Sequence, residues 1–235
     1  MKLMFQVRWV ILVFVFFLIG IALGEAFASG NNRERKMGET VYVKATFAGG
    51  CFWCMEPPFE KLPGVSKVIS GYTGGKRENP RYKEVATGLT NHAEAIEVHY
   101  DSSTISYNDL LEVFWRNIDP TDGSGQFVDR GKQYRPAIFY HDQEQKKLAE
   151  KSRSKLQKSE RFKSKIKTNI VKATTFYAAE EYHQDFYKKS TIRYKIYRVG
   201  SGRDHFLKKY WGEKLKVQGN KQFQKKEYRQ RAAPL

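Results

Sequence analysis

The sequence predicts a single α+β domain, a two-layer α/β sandwich built on a mixed sheet. Three observations carry this. Strand-like and helix-like stretches follow one another without a regular βα repeat. The chain has 235 residues, enough for one good core and short for two. Its 40% hydrophobic and 14% aromatic residues thin out toward both a polar stretch at 29–40 and the C-terminal end.

Taken in order, the chain opens with Lys2 and Arg8 ahead of an apolar run from Trp9 to Gly24. Glu25 ends the run, and Ala26-Phe27-Ala28 follows as an A-x-A site. Residues 1–28 therefore read as a signal peptide cleaved after Ala28, or as an uncleaved membrane anchor. The apolar run falls a little short of the ~20 residues that span a bilayer. Either way the body is expected to be exported, periplasmic or extracytoplasmic, where disulfides persist. Residues 29–40 are polar and read as a linker.

Val41 to Phe47 is a strand, by its alternation and β-branched content. Gly49 and Gly50 permit a tight turn. A helix is expected from the cysteines to Leu62, with Glu56, Pro57 and Pro58 tolerable in its first turn only. Leu62-Pro63-Gly64 stops it, and Val65 to Tyr72 reads as a strand. Thr73 to Pro80 is turn-rich, and Tyr82 to Thr87 a short helical turn. Ala93 to Tyr100 is a strand, although Ala93, Ala95 and Val98 do not share one face.

Tyr107 to Ile118 is an amphipathic helix with Ser106 as N-cap. Tyr134 to Tyr140 reads as a strand in which Pro136 marks an edge or a start. Asp142 to Lys158 is a charged helix, Ile170 to Phe176 a strand, and Ala178 to Lys188 a helix carrying Glu181-Tyr182-His183-Gln184. The domain spans 41–212. Residues 213–235 read as a disordered tail; from Lys214 onward it counts seven Lys/Arg against one Glu.

The net charge of +17 fits an anionic membrane surface, acidic partners or nucleic acid. No nucleic-acid module signature accompanies it, so nucleic acid is not expected as a partner. The length left after residue 28 suits a monomer.

The chemistry centres on Phe47-Ala48-Gly49-Gly50-Cys51-Phe52-Trp53-Cys54-Met55-Glu56, which holds both cysteines, spaced C-x-x-C. Cys51 sits where a strand ends and a helix begins, and free N–H groups there stabilise an anion. A thiol of pKa about 8.5 is about 3% thiolate at pH 7, whereas a pKa near 6 would make it about 90%. Such a thiolate beside an apolar wall, with a second thiol one turn away, suits two-electron sulfur chemistry. A structural zinc site wants about four Cys/His ligands, and His92, His99, His141, His183 and His205 show no paired spacing. Met55 stands where c-type haem attachment needs histidine. A purely structural disulfide would close too short a loop to gain much.

The stretch resembles the catalytic motif of the type A peptide methionine sulfoxide reductases. Four further blocks resemble that family in order. They are Ser70 to Gly75 with Asn79 to Tyr82; His92 to Val98; Asp119-Pro120-Thr121 with Gln126 to Tyr140; and Glu181 to Gln184. The resemblance implies that Cys51 attacks the sulfur of a methionine S-sulfoxide, free or in a protein. Glu94 would donate the proton to the sulfoxide oxygen, its pKa raised by burial. Tyr82 and Tyr134 would hydrogen-bond that oxygen. Phe52 and Trp53 would pack the S-methyl group, Asp129 would line the pocket, and His183 would be structural. Cys51 would become a sulfenic acid, and Cys54 would resolve it as a Cys51–Cys54 disulfide.

Many relatives keep the resolving cysteine near the C-terminus, and this chain has none there. A thioredoxin-like dithiol would reset the enzyme, with no metal or other cofactor. Phe127 and Val128 depart from the glycine and polar residue that many relatives carry between Gln126 and Asp129. The alternative is a thioredoxin-like disulfide oxidoreductase, and a third reading is an exported basic binding protein that is not an enzyme. The basic tail would bind anionic lipid or wall polymer.

Overall fold

The computed structural model describes residues 42–212. The expected signal or anchor segment, the linker at 29–40 and the tail at 213–235 lie outside the described residues. Among the described residues no helix is long and apolar enough to cross a membrane.

The elements run β1 (Tyr42–Ala48), α1 (Phe52–Glu60), β2 (Val65–Thr73), α2 (Tyr82–Ala86), β3 (Ala93–Asp101) and α3 (Tyr107–Trp115). Next come β4 (Gly125–Gln126), β5 (Asp129–Arg130), a 3-10 turn (Lys132–Tyr134), β6 (Ala137–Tyr140), α4 (Gln143–Lys158) and β7 (Asn169–Lys172). The chain then forms β8 (Tyr177–Ala178), α5 (Phe186–Lys189), α6 (Thr191–Gly200) and α7 (Arg203–Trp211). Six strands form one sheet in the order β7-β6-β1-β3-β2-β8. All neighbours are antiparallel except β6 and β7, so the α+β class and the mixed sheet are as expected. A small hairpin, β4-β5, stands apart.

The period-two alternation sorts each strand between two cores. Ala45 and Phe47 of β1, with Ile96 and Val98 of β3, face the large core, where α1 and α3 contribute Phe52, Met55, Phe59, Leu110, Leu111 and Phe114. Phe47 stacks on Phe59 at 5.3 Å and on Phe114 at 5.2 Å between ring centroids. Ala48, Ala93, Ala95, Ala137 and Phe139 build the smaller cluster on the other face. This register resolves the mixed face of β3. Ala93 and Ala95 point one way, and Glu94 points the other, into line with Ile96 and Val98.

Several elements differ from expectation, each for a physical reason. The α1 helix starts at Phe52, so Pro57 and Pro58 fall in its second turn. Their missing N–H groups would otherwise have bonded the carbonyls of Trp53 and Cys54. Arg198 of α6 instead donates to the Cys54 carbonyl at 3.2 Å. The strand expected over 134–140 shortens to Ala137–Tyr140, because a 3-10 turn occupies 132–134 ahead of Pro136.

The strand expected over 170–176 divides. Asn169–Lys172 pairs with β6, and Tyr177–Ala178 pairs with Gly71 and Tyr72 on the far edge. The helix expected over 178–188 is therefore a strand end, a turn and the short α5. Gln184 holds the turn by bonding the backbone N–H and carbonyl of Ser70, each at 2.9 Å, and the Ala179 carbonyl at 2.8 Å.

Phe47 joins three aromatic stacks near the end of the strand that delivers Cys51. Phe47→Ala is expected to destabilise the domain by about 3–5 kcal/mol. Urea unfolding should show a lower midpoint at unchanged slope.

Candidate active site

The end of β1 and the start of α1 place the two cysteines. Gly50 takes φ +84°, a left-handed turn that glycine adopts without strain. A side chain at Gly49 would strike the Met55 sulfur at 2.6 Å. Cys51 then caps α1, with its carbonyl accepting from Cys54 N–H at 3.0 Å. Both thiols are free and buried; Cys51 is 7% exposed and Cys54 0%.

A cavity of about 100 Å³, room for a few heavy atoms, opens onto Cys51. Phe52, Trp53, Tyr82, Glu94, Asp129, Tyr134 and Tyr197 form the rest of its lining. Every residue expected at the site lines it except Cys54, which lies behind Cys51 in the first turn of α1.

Glu94 reaches the cavity from the core face of β3. It is 2% exposed, and one carboxyl oxygen accepts the Phe52 N–H at 3.1 Å. Burial, with the Asp129 carboxylate adding to it, raises its pKa to about 8 against the pull of that N–H. Glu94 is thus mostly a neutral acid at pH 7, able to donate a proton.

The thiol corrects the expectation drawn from helix position. The first N–H of α1 is given to Glu94 and not to sulfur. Burial, the neighbouring Glu94 and Cys54 push the Cys51 thiol up, and only the Tyr197 hydroxyl acts the other way. Cys51 therefore rests as a thiol.

Burial also raises Tyr82, to about 12, and raises Tyr134, so both hydroxyls keep their protons as donors toward the cavity. The Tyr82 backbone is fixed by its N–H bond to Glu180 at 2.8 Å. Trp53 forms an apolar wall. Its ring stacks on Phe186 at 3.7 Å, and its indole N–H donates to His183 Nδ1 at 3.1 Å. His183 is 2% exposed, and burial lowers its pKa, so it is a neutral acceptor that orients Trp53. Asp129, on the β4-β5 hairpin, accepts a hydrogen bond from Tyr197 and is raised by burial.

Tyr197 and Arg198 were missed by sequence reasoning. Both lie on α6, in a stretch that reads only as aromatic and basic. The one available signal was a tyrosine-rich helix period, Tyr194 and Tyr197 three apart. An acidic cluster, Glu56, Glu60 and Asp185, lies outside the cavity lining. Lys188 is paired with both Glu60 and Asp185, and Glu56 holds Ser70 and the Asp185 N–H.

Comparison with known proteins fixes the family. The family profile described as "Peptide methionine sulfoxide reductase" matches residues 43–215. The chain belongs to the peptide methionine sulfoxide reductase family. A peptide methionine sulfoxide reductase MsrA of Listeria monocytogenes is 60% identical over 168 residues, covering 72% of this chain and 95% of that protein. One from Bacillus subtilis is 55% identical over 170 residues, covering 72% and 96%. Among solved structures, methionine sulfoxide reductase A of Corynebacterium diphtheriae aligns at a TM-score of 0.59 and 32% identity. That alignment covers 66% of this chain and 77% of the other. Mxr1 of Saccharomyces cerevisiae in reduced form gives 0.60 and 32%, over 64% and 86%. The activity that goes with this membership is that of a peptide-methionine (S)-S-oxide reductase.

The raised Glu94 makes a signed stability prediction. Its folded pKa of about 8 exceeds the unfolded value of about 4.3. Stability from this group is full below about pH 4 and is lost as pH rises toward 8, because the unfolded chain sheds the proton first. Glu94→Gln should match the parent near pH 4 and exceed it by roughly 2–5 kcal/mol at pH 8. Urea titrations at the two pH values check this.

Proposed function

We propose that this chain reduces methionine S-sulfoxide through a Cys51 sulfenic acid that Cys54 converts to a Cys51–Cys54 disulfide. The observation that carries the reading is a buried thiol and a neutral buried carboxylic acid lining one small, largely aromatic cavity. The methylsulfinyl group enters with its methyl against Phe52 and Trp53. Its oxygen lies toward Glu94 and the hydroxyls of Tyr82 and Tyr134.

Glu94 gives its proton to the sulfoxide oxygen, which makes the sulfur electrophilic. The Cys51 sulfur attacks, and its proton passes to the carboxylate that Glu94 has just become. Oxygen moves to Cys51. Methionine leaves reduced by two electrons, and Cys51 is oxidised by two, to sulfenic acid. Atoms and charge balance without an added proton, and Glu94 ends in the form in which it began. Charged intermediates are confined to a dry site, where fixed donors act strongly.

Cys54 then attacks the sulfenic sulfur, forming the disulfide and releasing water. Cys51 is the N-cap of α1, with non-helical φ −54° and ψ 122°, so its side chain is not held at helical spacing from Cys54. The prolines at 57 and 58 remove two hydrogen bonds from the start of α1. An external thioredoxin-like dithiol resets the pair by exchange and is itself oxidised to a disulfide. The N-terminal pattern supports export, so the reductant would be extracytoplasmic. Substrates would be free methionine sulfoxide and oxidised proteins.

A turnover assay with each sulfoxide epimer and dithiothreitol tests the scheme. Only the S epimer should yield methionine. Cys51→Ser should yield none. Cys54→Ser should release about one methionine per chain before any reductant is added and leave a sulfenic acid trappable by dimedone. More than one methionine per Cys54→Ser chain, or none, would contradict the resolving role. Insulin reduction without sulfoxide turnover would favour the disulfide-carrier alternative.

A further inference from the structure

One buried cation lies beneath the site and takes no part in the chemistry above. Arg203, the first residue of α7, is 0% exposed. Its hydrogen-bond partners are mainly main-chain carbonyls. Nη2 donates to the Gly49 carbonyl at 3.0 Å, and Nη1 donates to that of Asn117. Nη1 also approaches the Met55 sulfur at 3.7 Å, while Nε is buried with no partner. Burying a guanidinium on such terms is costly, and folds seldom keep a buried charge without a use for it.

A second observation points to the same side chain. Phe127 adopts φ +58°, a left-handed conformation unfavourable for a bulky residue. In that conformation its ring lies 4.6 Å from the Arg203 guanidinium carbon. The two-residue turn between the paired Gln126 and Asp129 calls for such a conformation, and it sets an aromatic face over this cation.

The location explains the investment. Gly49 carries the last carbonyl before the left-handed Gly50 and then Cys51. A side chain at Gly50 would meet Arg203 Nη2 at 2.8 Å and Gln126 Cβ at 2.6 Å, so the turn is gripped between α7 and the β4-β5 hairpin. On the far side of Cys51, Glu94 holds the Phe52 N–H. The nucleophile is mounted between two side-chain clamps, one before it and one after.

We propose that Arg203 is a positioning residue for the nucleophile, acting through the Gly49–Gly50 peptide that it holds from below. The inference rests on Cys51 as the attacking sulfur. An ammonium at this position carries the charge but not the planar fork that reaches two carbonyls at once. Geometry, not charge alone, is what Arg203 supplies.

The test uses the full chain and the variants Arg203→Lys, Arg203→Gln and Arg203→Ala, with methionine S-sulfoxide and dithiothreitol. Rates are referred to the folded fraction measured by circular dichroism. Arg203→Gln and Arg203→Ala should lose about a hundredfold in kcat, the scale of a small misplacement of a reacting group. KM should move less than about threefold. Arg203→Lys should recover less than about a tenth of the parent rate. Low-millimolar guanidinium should raise Arg203→Ala at least about tenfold and leave Cys51→Ser inactive.

A folded Arg203→Gln with kcat near that of the parent would overturn the proposal. So would an activity loss that only tracks the folded fraction, or three variants that all fail to fold even with guanidinium present. Full activity in Cys51→Ser would instead overturn the reading beneath, independently of any Arg203 result.

Discussion

The hydrogen bond from Phe52 N–H to the Glu94 carboxyl is the contact on which the site depends. It joins the first turn of the helix that carries both thiols to the core face of a central strand. It uses the N–H that would otherwise stabilise a thiolate, and burial outweighs its pull on Glu94, so the thiol and the acid both rest uncharged in a buried space. A cavity lined by a pre-formed thiolate would be reactive toward any electrophile. In the proposed mechanism the sulfur is roused only when a bound group accepts the proton of Glu94, which links reactivity to the presence of a basic sulfoxide oxygen.

The surrounding structure serves that pairing. The β1-β3 register sets Glu94 beside the end of β1, and the aromatic stack around Phe47 anchors the strand below it. His183 turns Trp53, and Glu180 fixes Tyr82, so the walls are held by polar contacts outside the cavity. The C-terminal helices complete the enclosure. Through Tyr197, Arg198 and Arg203 they touch Asp129, the Cys54 carbonyl and the Gly49 carbonyl. This segment, which looks peripheral in sequence, reaches the chemistry at three points.

The legible parts of the fold were those with a local cause. The alternation in Val41 to Phe47, the Ser106 cap and the Gly49-Gly50 turn act within a few residues, and the structure shows the strand from Tyr42, the cap and the turn. The illegible parts depend on distant partners. Pro57 and Pro58 read as a first-turn pair because sequence offers no sign of Arg198, which relieves the carbonyl that Pro58 frees. The stretch around Glu181 to Gln184 carries a helix-like pattern, yet Tyr177–Ala178 gains more by pairing with the edge of β2. At the site, the family resemblance named Cys51, Glu94 and the aromatic residues, whereas Tyr197 carries only its spacing from Tyr194 and Arg203 has no local signature. The Cys51 shift also runs opposite to what helix position implies. Helix position is visible in sequence, but burial and the Glu94 neighbour are not.

The most direct test of the account is the protonation state of Glu94 in the resting enzyme. Infrared difference spectra of the parent and Glu94→Gln, taken across pH, read it directly. The account predicts the carbonyl stretch of a neutral carboxylic acid at pH 7, absent from Glu94→Gln and fading in the parent as pH passes about 8. A spectrum at pH 7 that shows only a carboxylate at this position would contradict the account, because the buried acid that activates the sulfoxide would not be there.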